Sequence, residues 1–208
     1  MKTSFERFSR LLEKPLETGP RVLLLAAALL FVPAYLAPLW KMTMFAPQYP
    51  DGLRMQIYSY KLTGGNGGQD VKEINVLNHY IGMHELSTAD FAEFKWIPFV
   101  VGALGLVFLR AALLGRTGTL LDLFVLYLYF GLFSLWSFGY KLYSYGHNLA
   151  PTASVKVAPF MPPLMGYKKL ANFEVYCYPA VGSYALAGVA VVLLIAAYVA
   201  WRGSRRPA

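Results

Sequence analysis

The sequence predicts an all-α integral membrane protein with four transmembrane helices and two long extracytoplasmic segments that form a small mixed lid. Three observations support this fold class. Hydrophobic residues make up 57% of the 208-residue chain and charged residues only 14%, whereas soluble domains average about 45–50% apolar and about 25% charged residues. The apolar residues are concentrated in four blocks, and basic residues flank these blocks on one side.

Each apolar block is close to the roughly 20 residues that a helix needs to cross the hydrocarbon core. Charges are rare in them: Arg21 opens the first block, Arg110 interrupts the second, and Asp122 lies near the start of the third. Pro33, Pro38 and the lack of a small-residue cleavage site indicate that the first block is not a cleaved signal peptide. The predicted spans are residues 21–40, 96–114, 118–140 and 180–201.

The lysines and arginines predict the orientation. Five flank the first span within residues 1–21, Arg110 and Arg116 lie at the joint 115–117 between the second and third spans, and three lie in the tail 202–208. In residues 41–95, by contrast, five basic residues are offset by six acidic ones. By the positive-inside rule residues 1–20, the joint and the tail face the cytoplasm, which predicts a multi-pass protein of the bacterial inner membrane with both termini cytoplasmic. Residues 41–95 and 141–179 then lie outside, and we call these two outer segments the lid. The net charge of +8 reflects this topology, and no basic stripe with stacking aromatics supports binding to nucleic acid.

Residues 1–20 are predicted to form a cytoplasmic amphipathic helix on the inner leaflet. Phe5, Phe8, Leu11 and Leu12 recur there at helical spacing, with basic residues between them. The alternative is a frayed terminus. The lipid bilayer is therefore the first predicted partner of the chain.

The lid contains local sequence patterns typical of strands and of helices. Residues 53–62 alternate well enough to predict a strand, and the glycine-rich connector that follows lacks the G-K-[ST] ending of a phosphate loop. Residues 74–86 predict a short helix whose apolar face carries Ile74, Leu77 and Ile81. Neither segment is long enough to hold a core alone, so we expect the two to fold against each other.

Candidate metal ligands are concentrated in the lid, which holds all three histidines and every methionine after the initiator. Imidazole and thioether are copper ligands, and thioethers favour Cu(I). On a helix, His79 and Met83 would share a face while His84 points away from His79. The candidates for a transient copper site are His79, Met83, His84, His147, Met161 and Met165. Alternatively, these methionines fill an irregular lid and the histidines bond to the backbone.

The sequence predicts no enzyme and no resident cofactor. The single cysteine, Cys177, excludes an intramolecular disulfide and a C-x-x-C redox pair, and it is predicted to be a small apolar filler. The spans hold no histidine or methionine to ligate a haem. Asp122 and Thr119 form a predicted helix-start capping pair, with a proton relay as the alternative. No Ser/His/Asp set, carboxylate pair or nucleotide loop is present.

Four stretches in the lid and its borders are similar to one family. KMTMFAPQYPDGLRMQIY, INVLNHYIGMHEL, YSYGHNLAP and MPPLMGYKKLANF resemble small bacterial membrane accessory proteins that are often encoded with copper-protein maturation factors, in clade II type nitrous oxide reductase gene clusters. The resemblance covers most of residues 35–180. It implies a non-enzymatic role beside a periplasmic copper enzyme, in its maturation or its electron supply.

Two functions follow as hypotheses. The first is a non-catalytic accessory or assembly protein that docks a periplasmic copper enzyme of the nitrous-oxide-reductase type through the lid. The second is a structural subunit or anchor of a membrane respiratory complex, with no metal role. A transporter is disfavoured because the spans contain few of the polar groups that a substrate path requires.

Overall fold

The computed structural model describes residues 6, 9, 12–170 and 172–204, and this part of the chain is mostly helical. Four helices are long and apolar enough to cross a membrane, consistent with a membrane protein. A sheet and a shorter helix occupy one end of the helix bundle. In chain order the elements are α1 (Thr18–Leu36), β1 (Trp40–Ala46), β2 (Tyr49–Ile57), β3 (Leu62–Gly64), α2 (Gln69–Tyr80), α3 (Glu93–Leu114), α4 (Thr117–His147), β4 (Gly166–Leu170), β5 (Phe173–Pro179) and α5 (Val181–Ser204).

The lid is built around a five-stranded antiparallel sheet with the order β3-β2-β1-β5-β4. Its central strand β1 belongs to the first lid segment and pairs with β5 of the second, with Trp40 opposite Pro179 and Phe45 opposite Glu174. The two segments thus fold against each other as expected. The all-α fold class is wrong in this respect, because the sheet is a principal part of the lid.

The strand predicted over residues 53–62 is divided in the structure. Strand β2 ends at Ile57, and a turn follows in which the Tyr58 N–H donates to the carbonyl of Lys61 at 2.8 Å. Strands β1, β4 and β5 were not predicted. The β1–β5 pairing joins segments far apart in the sequence, whereas β4 is an edge strand that pairs only with its neighbour β5. The stability of such strands depends on the sheet around them more than on their own sequence.

The first of the four long apolar helices ends earlier than the predicted span 21–40. Helix α1 stops at Leu36, and Ala37 is extended with φ −98° and ψ 158°. Pro38 explains this, since a proline disfavours helical conformation in the residue before it. The chain then enters β1 at Trp40.

The third spanning helix is longer than the predicted span 118–140. Helix α4 runs for 31 residues from Thr117 to His147, which is about 46 Å at 1.5 Å per residue against a hydrocarbon core of about 30 Å. Its last two turns continue into the lid, where Tyr145 and Gly146 are buried. Tertiary packing in the lid therefore extends the helix past the point where its apolar run ends.

Strands β1 and β5 are joined closely to the first and last spanning helices. The Leu39 carbonyl accepts hydrogen bonds from the Ala180 N–H at 2.9 Å and from the Ser183 hydroxyl at 2.6 Å. The Gly182 N–H donates to the Pro38 carbonyl at 2.9 Å. The centre of the sheet is thus fixed to the α1–α5 pair by short connections.

The core of the helix bundle is aromatic where α1, α3 and α4 meet. The rings of Phe31 and Phe108 pack edge to face with centroids 5.2 Å apart, and Phe31 meets Tyr127 at 6.1 Å. The Tyr127 hydroxyl donates to the Leu186 carbonyl of α5 at 2.7 Å. This bond satisfies a polar group that would otherwise be costly in an apolar bundle.

The basic segments meet at the end of the bundle opposite the lid. The Leu16 N–H donates to the Gly115 carbonyl at 3.2 Å, and the Thr117 N–H donates to the Lys14 carbonyl at 2.9 Å. The Glu17 carboxylate lies beside Gly203. The three segments that flank the spans are therefore neighbours in space.

Two predictions concern residues at this end. The amphipathic helix predicted in residues 1–20 depends on Phe5, Phe8 and Leu11, which lie outside the described residues. The predicted Thr119–Asp122 capping pair is wrong, because α4 already begins at Thr117 and the Thr119 hydroxyl accepts from the Arg116 N–H at 3.4 Å.

Candidate functional site

The stretch that holds His79, Met83 and His84 is a helix end followed by a turn. Helix α2 stops at Tyr80, and the chain reverses at Gly82 with φ 78°. His79 and Met83 therefore do not share a helical face, and that part of the prediction is wrong. Both histidines are exposed, whereas Met83 is half-buried.

The apolar side of the same stretch is buried as predicted. Ile74 is fully buried, and Leu77 and Ile81 are 6% and 4% exposed. Ile74 and Leu77 pack against the sheet in the core of the lid, and Ile81 lines a cavity beside them. The Asn75 side chain is held by the Leu86 backbone, to which it donates at 3.2 Å and from which it accepts at 2.8 Å. Asn75 thus fixes the chain after α2.

The second lid segment closes over the turn at Gly82. The Ala150 N–H donates to the Gly82 carbonyl at 2.8 Å, and the Val155 N–H donates to the Tyr80 carbonyl at 2.9 Å. A β-carbon at Gly82 would lie 2.9 Å from the Ala150 nitrogen. Glycine is required here both for its positive φ and for this close approach.

The remaining candidate ligands lie in the second segment. His147 ends α4, where its Nδ1 lies 2.9 Å from the Tyr143 carbonyl and its ring stacks on Tyr143 at 3.8 Å. Met161 is 36% exposed and Met165 is 67% exposed. Among the described residues, no three His, Cys, Asp or Glu side chains are grouped as a metal site. The copper site over these six residues stays a prediction.

A different set of sulfur side chains comes together inside the lid. A cavity of about 90 Å³ lies between the sheet, α2 and the end of α4, and it is lined by Met42, Met44, Met55 and Met83. We call it the methionine cavity. Met44 and Met55 are 5% and 4% exposed. Most of the remaining lining residues are aliphatic or aromatic, so the cavity is largely apolar.

The sheet register places three sulfur side chains in one row. Met42 of β1 lies directly opposite Met55 of β2 and, on its other side, opposite Cys177 of β5. Gly64 and Gly166 are the next residues of the row at its two ends.

Burial raises the pKa of the Cys177 thiol to about 12, so the thiol is protonated at neutral pH. Cys177 therefore acts as a small apolar side chain, as predicted.

One ion pair lies at the edge of the methionine cavity. Lys141 of α4 lines the cavity, and its Nζ lies 3.4 Å from Glu93 Oε2 of α3. The same ammonium lies 5.1 Å from the centroid of the Phe91 ring. The lysine charge is thus compensated by a carboxylate and an aromatic face.

The other face of the sheet is aromatic and cationic, and we call it the open face. Tyr176 packs against Tyr167 at 4.9 Å and against Phe45 at 5.7 Å between ring centroids. Helix α2 and the end of α4 pack on the opposite, methionine-bearing face. From the strand registers, the open face comprises Lys41, Thr43, Phe45, Arg54, Gln56, Tyr167, Lys169, Glu174, Tyr176 and Tyr178.

A second, wider cleft lies beside the glycine-rich connector. It measures about 410 Å³ and is lined by Gly67, Gly68 and neighbouring residues. The adjacent start of α2 is occupied by Asp70, whose carboxylate accepts from the Arg54 N–H at 2.8 Å and from the Asn66 amide at 2.7 Å. This acid fills the position that an anion would otherwise take at a helix N-terminus.

The chain has no match among protein-family models, curated proteins or solved structures.

Sequence reasoning missed Met42, Met44 and Met55 as members of a site. The KMTM stretch places Met42 and Met44 on one face of an extended segment, which is a usable signal. Met83 was a predicted ligand, but its place in the same cavity as Met55 was not predicted, because it depends on strand register and on the turn after α2.

Proposed function

We propose that the chain is a non-catalytic accessory protein of the bacterial inner membrane whose lid docks a periplasmic copper enzyme. The supporting observation is the open face, an exposed surface on strands that continue into two spanning helices. Both termini would be cytoplasmic under the positive-inside rule, since the basic segments around Lys14, Arg116 and Arg202 adjoin one another at the far end of the bundle.

The composition of the open face suits a protein partner. Tyrosine and arginine are enriched at the energetic centres of protein interfaces, and Tyr167 and Tyr178 are 50% and 44% exposed. Three basic side chains of this face, those of Lys41, Arg54 and Lys169, outnumber its single acid. An acidic patch on the partner would complement this charge and accelerate association.

The attachment of the open face suits a docking role. Because β1 and β5 connect directly to α1 and α5, the surface is held at a set position relative to the bundle. A preorganised surface loses little conformational entropy on binding. A partner docked there would be kept near the bilayer, where a maturation factor or an electron donor in the membrane could reach it.

The identity of the partner rests on the sequence resemblance. The four lid stretches resemble accessory proteins of nitrous oxide reductase gene clusters, and two of these stretches, KMTMFAPQYPDGLRMQIY and MPPLMGYKKLANF, contribute strands β1, β2 and β4. This supports a copper enzyme of that type as the docked protein, with a role for the lid in its maturation or its electron supply.

The test is a binding measurement with purified components. The full chain would be held in nanodiscs, and the nitrous-oxide-reductase-type enzyme of the same organism would be titrated against it. The variant Tyr167→Ala/Lys169→Glu alters the open face and should weaken binding by at least about tenfold, or about 1.4 kcal/mol. The weakening should decrease as salt screens the charge contribution.

The matched control is Tyr80→Ala/Lys72→Glu. Tyr80 is 50% exposed, like Tyr167, and Lys72 is exposed on α2, away from the open face. This variant carries the same chemical change and should bind as the wild type does. Equal weakening in both variants, or no binding by the wild-type chain, would contradict docking through the open face.

A second function, that of a structural subunit or anchor in a membrane respiratory complex, is favoured by one observation. Helix α4 is the least buried of the four long apolar helices. In its most apolar stretch of 18 residues 17% are buried, against 28% in the corresponding stretches of α1 and α3. Tyr129 and Trp136 are among its exposed side chains. Co-purification of defined respiratory subunits in mild detergent, without the copper enzyme, would support this function instead.

A further inference from the structure

We propose that the methionine cavity binds one soft monovalent cation, Cu(I) in the cell and Ag(I) as its laboratory substitute, through the thioethers of Met42, Met44, Met55 and Met83. This site differs from the six ligands predicted from the sequence, with which it shares only Met83. It rests on the cavity alone and does not depend on docking through the open face.

The first support is the number of methionines that line the cavity. Seven methionines are present including the initiator, and four of them line this one cavity. The other two lid methionines, Met161 and Met165, are at least 36% exposed. An irregular core that used methionine only as filler would not need to place four methionines around one cavity of about 90 Å³.

The second support is the geometry of the cavity walls. Met42 and Met55 are directly opposed on antiparallel strands, so their β-carbons are about 4.5–5.5 Å apart. Met44 is on the same face of β1, about 7 Å further along the strand. Met83 approaches from the turn after α2. Methionine side chains have three rotatable bonds, so sulfur atoms from these walls can reach a common point.

The third support is the chemistry of the surroundings. Thioether sulfur is a soft, neutral ligand that selects Cu(I) over hard cations such as Mg²⁺ or Ca²⁺. A largely apolar cavity also disfavours ions that retain bound water. The nearby charges of Lys141 and Glu93 are paired with each other at 3.4 Å, so the lysine does not leave an unpaired positive charge beside the cation.

These features predict a binding site without proton release. Histidine and cysteine sites bind metal in competition with protons, and histidine titrates between about pH 5 and about pH 8. Thioethers do not titrate in this range. Affinity for Ag(I) through Met42, Met44, Met55 and Met83 should therefore be constant between about pH 6 and about pH 8.

The experiment measures silver bound to the full chain in nanodiscs. Equilibrium dialysis against Ag⁺ with a competing thioether, followed by elemental analysis, should give about one Ag⁺ per wild-type chain. The variant Met42→Leu/Met55→Leu conserves side-chain volume, and such exchanges usually cost less than about 1.5 kcal/mol of stability. It should lower the affinity for Ag⁺ by at least about tenfold.

The matched control is Met161→Leu/Met165→Leu, which removes two thioethers outside the cavity and should bind silver as the wild type does. Loss of binding in this control, with binding retained in Met42→Leu/Met55→Leu, would overturn the proposal. Equal silver in all three proteins, or none in the wild type, would also overturn it and would identify the methionines as core filler.

A further pair of measurements separates this site from the histidine set and from misfolding. His79→Gln/His84→Gln should leave silver binding unchanged, and a loss there would favour the sequence-predicted ligands. If Met42→Leu/Met55→Leu fails to fold, Met83→Leu provides the test, because Met83 lies on the turn and outside the sheet. X-ray absorption of the Cu(I)-loaded wild type should show a shell of sulfur only; nitrogen ligands would contradict the proposal.

Discussion

Lys141 Nζ lies 3.4 Å from Glu93 Oε2, and this ion pair connects the start of α3 to the upper part of α4 at the edge of the methionine cavity. The two side chains are 27% and 22% exposed, so the pair is largely but not fully withdrawn from solvent. The pair adds a polar link to the aromatic contacts between the two helices, Trp96 with Phe133 at 5.8 Å and Phe108 with Tyr127 at 5.9 Å between ring centroids. The Ser137 hydroxyl adds a weaker polar link, donating to Glu93 at 3.4 Å.

Lys141→Met should destabilise the chain by leaving Glu93 without its cation. Exposed pairs contribute about 0.2–1 kcal/mol and removal of one partner from a buried pair costs about 3–5 kcal/mol, so we expect about 1–2 kcal/mol here. Thermal unfolding in detergent would measure it. In a double-mutant cycle with Glu93→Gln, the double variant should be more stable than the sum of the single effects predicts. Additive effects would show that the pair contributes nothing.

The Tyr49 hydroxyl donates a hydrogen bond to the Glu73 carboxylate, linking β2 to α2. This bond, together with one from Gln69, lowers the pKa of Glu73. A carboxylate with a lowered folded-state pKa stabilises the fold at pH values above its unfolded pKa, about 4.3, and this contribution is lost as pH falls through the folded value. The wild type should therefore exceed Tyr49→Phe in thermal stability at pH 7, by a margin that shrinks in acid.

The control for this effect is Tyr80→Phe, which removes an exposed hydroxyl at the end of the same helix. Its stability difference from the wild type should not vary with pH. A margin for Tyr49→Phe that is constant from neutral pH to about pH 3 would show that the bond to Glu73 does not perturb the titration of the carboxylate.

Gly82→Ala should destabilise the lid by about 1–3 kcal/mol, the usual cost of a strained backbone position. The new β-carbon would meet Ala150 backbone atoms and the Ala153 side chain at 2.9 Å, in addition to the strain of φ 78°. Gly67→Ala is the matched control, because Gly67 has φ 67° but nothing within 4 Å of its β-carbon position. Gly82→Ala should lower the unfolding temperature more and should expose residues 148–165 to protease. Equal effects would mean that the contact with Ala150 is unimportant.

The orientation can be tested with single cysteines. The outer membrane of the cells would be permeabilised and the inner membrane left intact. The cysteine of Gly67→Cys should then be labelled by a membrane-impermeant maleimide, whereas that of Arg116→Cys should be labelled only after lysis. Native Cys177 is 6% exposed, and Cys177→Ala provides a background without thiol. The reverse pattern of labelling would place the lid in the cytoplasm and would contradict the positive-inside assignment.

The sequence predicted the four long apolar helices well because their signal is local. A run of about 20 apolar residues is sufficient to indicate a helix that can cross a membrane, and each of the four predicted spans corresponds to one such helix. Their ends were less predictable. Pro38 was visible as an interruption of the first span, but the continuation of α4 to His147 depends on the packing of Tyr145 in the lid, which no local pattern reports.

The lid was predicted in part. Ile74, Leu77 and Ile81 are buried as expected: Ile74 and Leu77 share a helical face because a helix brings residues three apart to one side, and Ile81 follows directly after the helix. The methionine cavity was not predicted as a site. Met42 faces Met55 only because β1 and β2 pair in one register, and a shift by one residue would turn one of them to the open face.

By itself, the sequence determined four apolar helices, a lid that contains every histidine and all methionines after the first, and a burial pattern for α2. These are properties of composition and of short-range periodicity. Only the tertiary structure decided that the lid contains a five-stranded sheet, that four of its methionines line one cavity, and that Tyr167 and Tyr176 share a face with Arg54. The physical reason is that the central β1–β5 pairing joins segments far apart in the chain, and the free energy of strand pairing is a property of the assembled sheet rather than of any one segment.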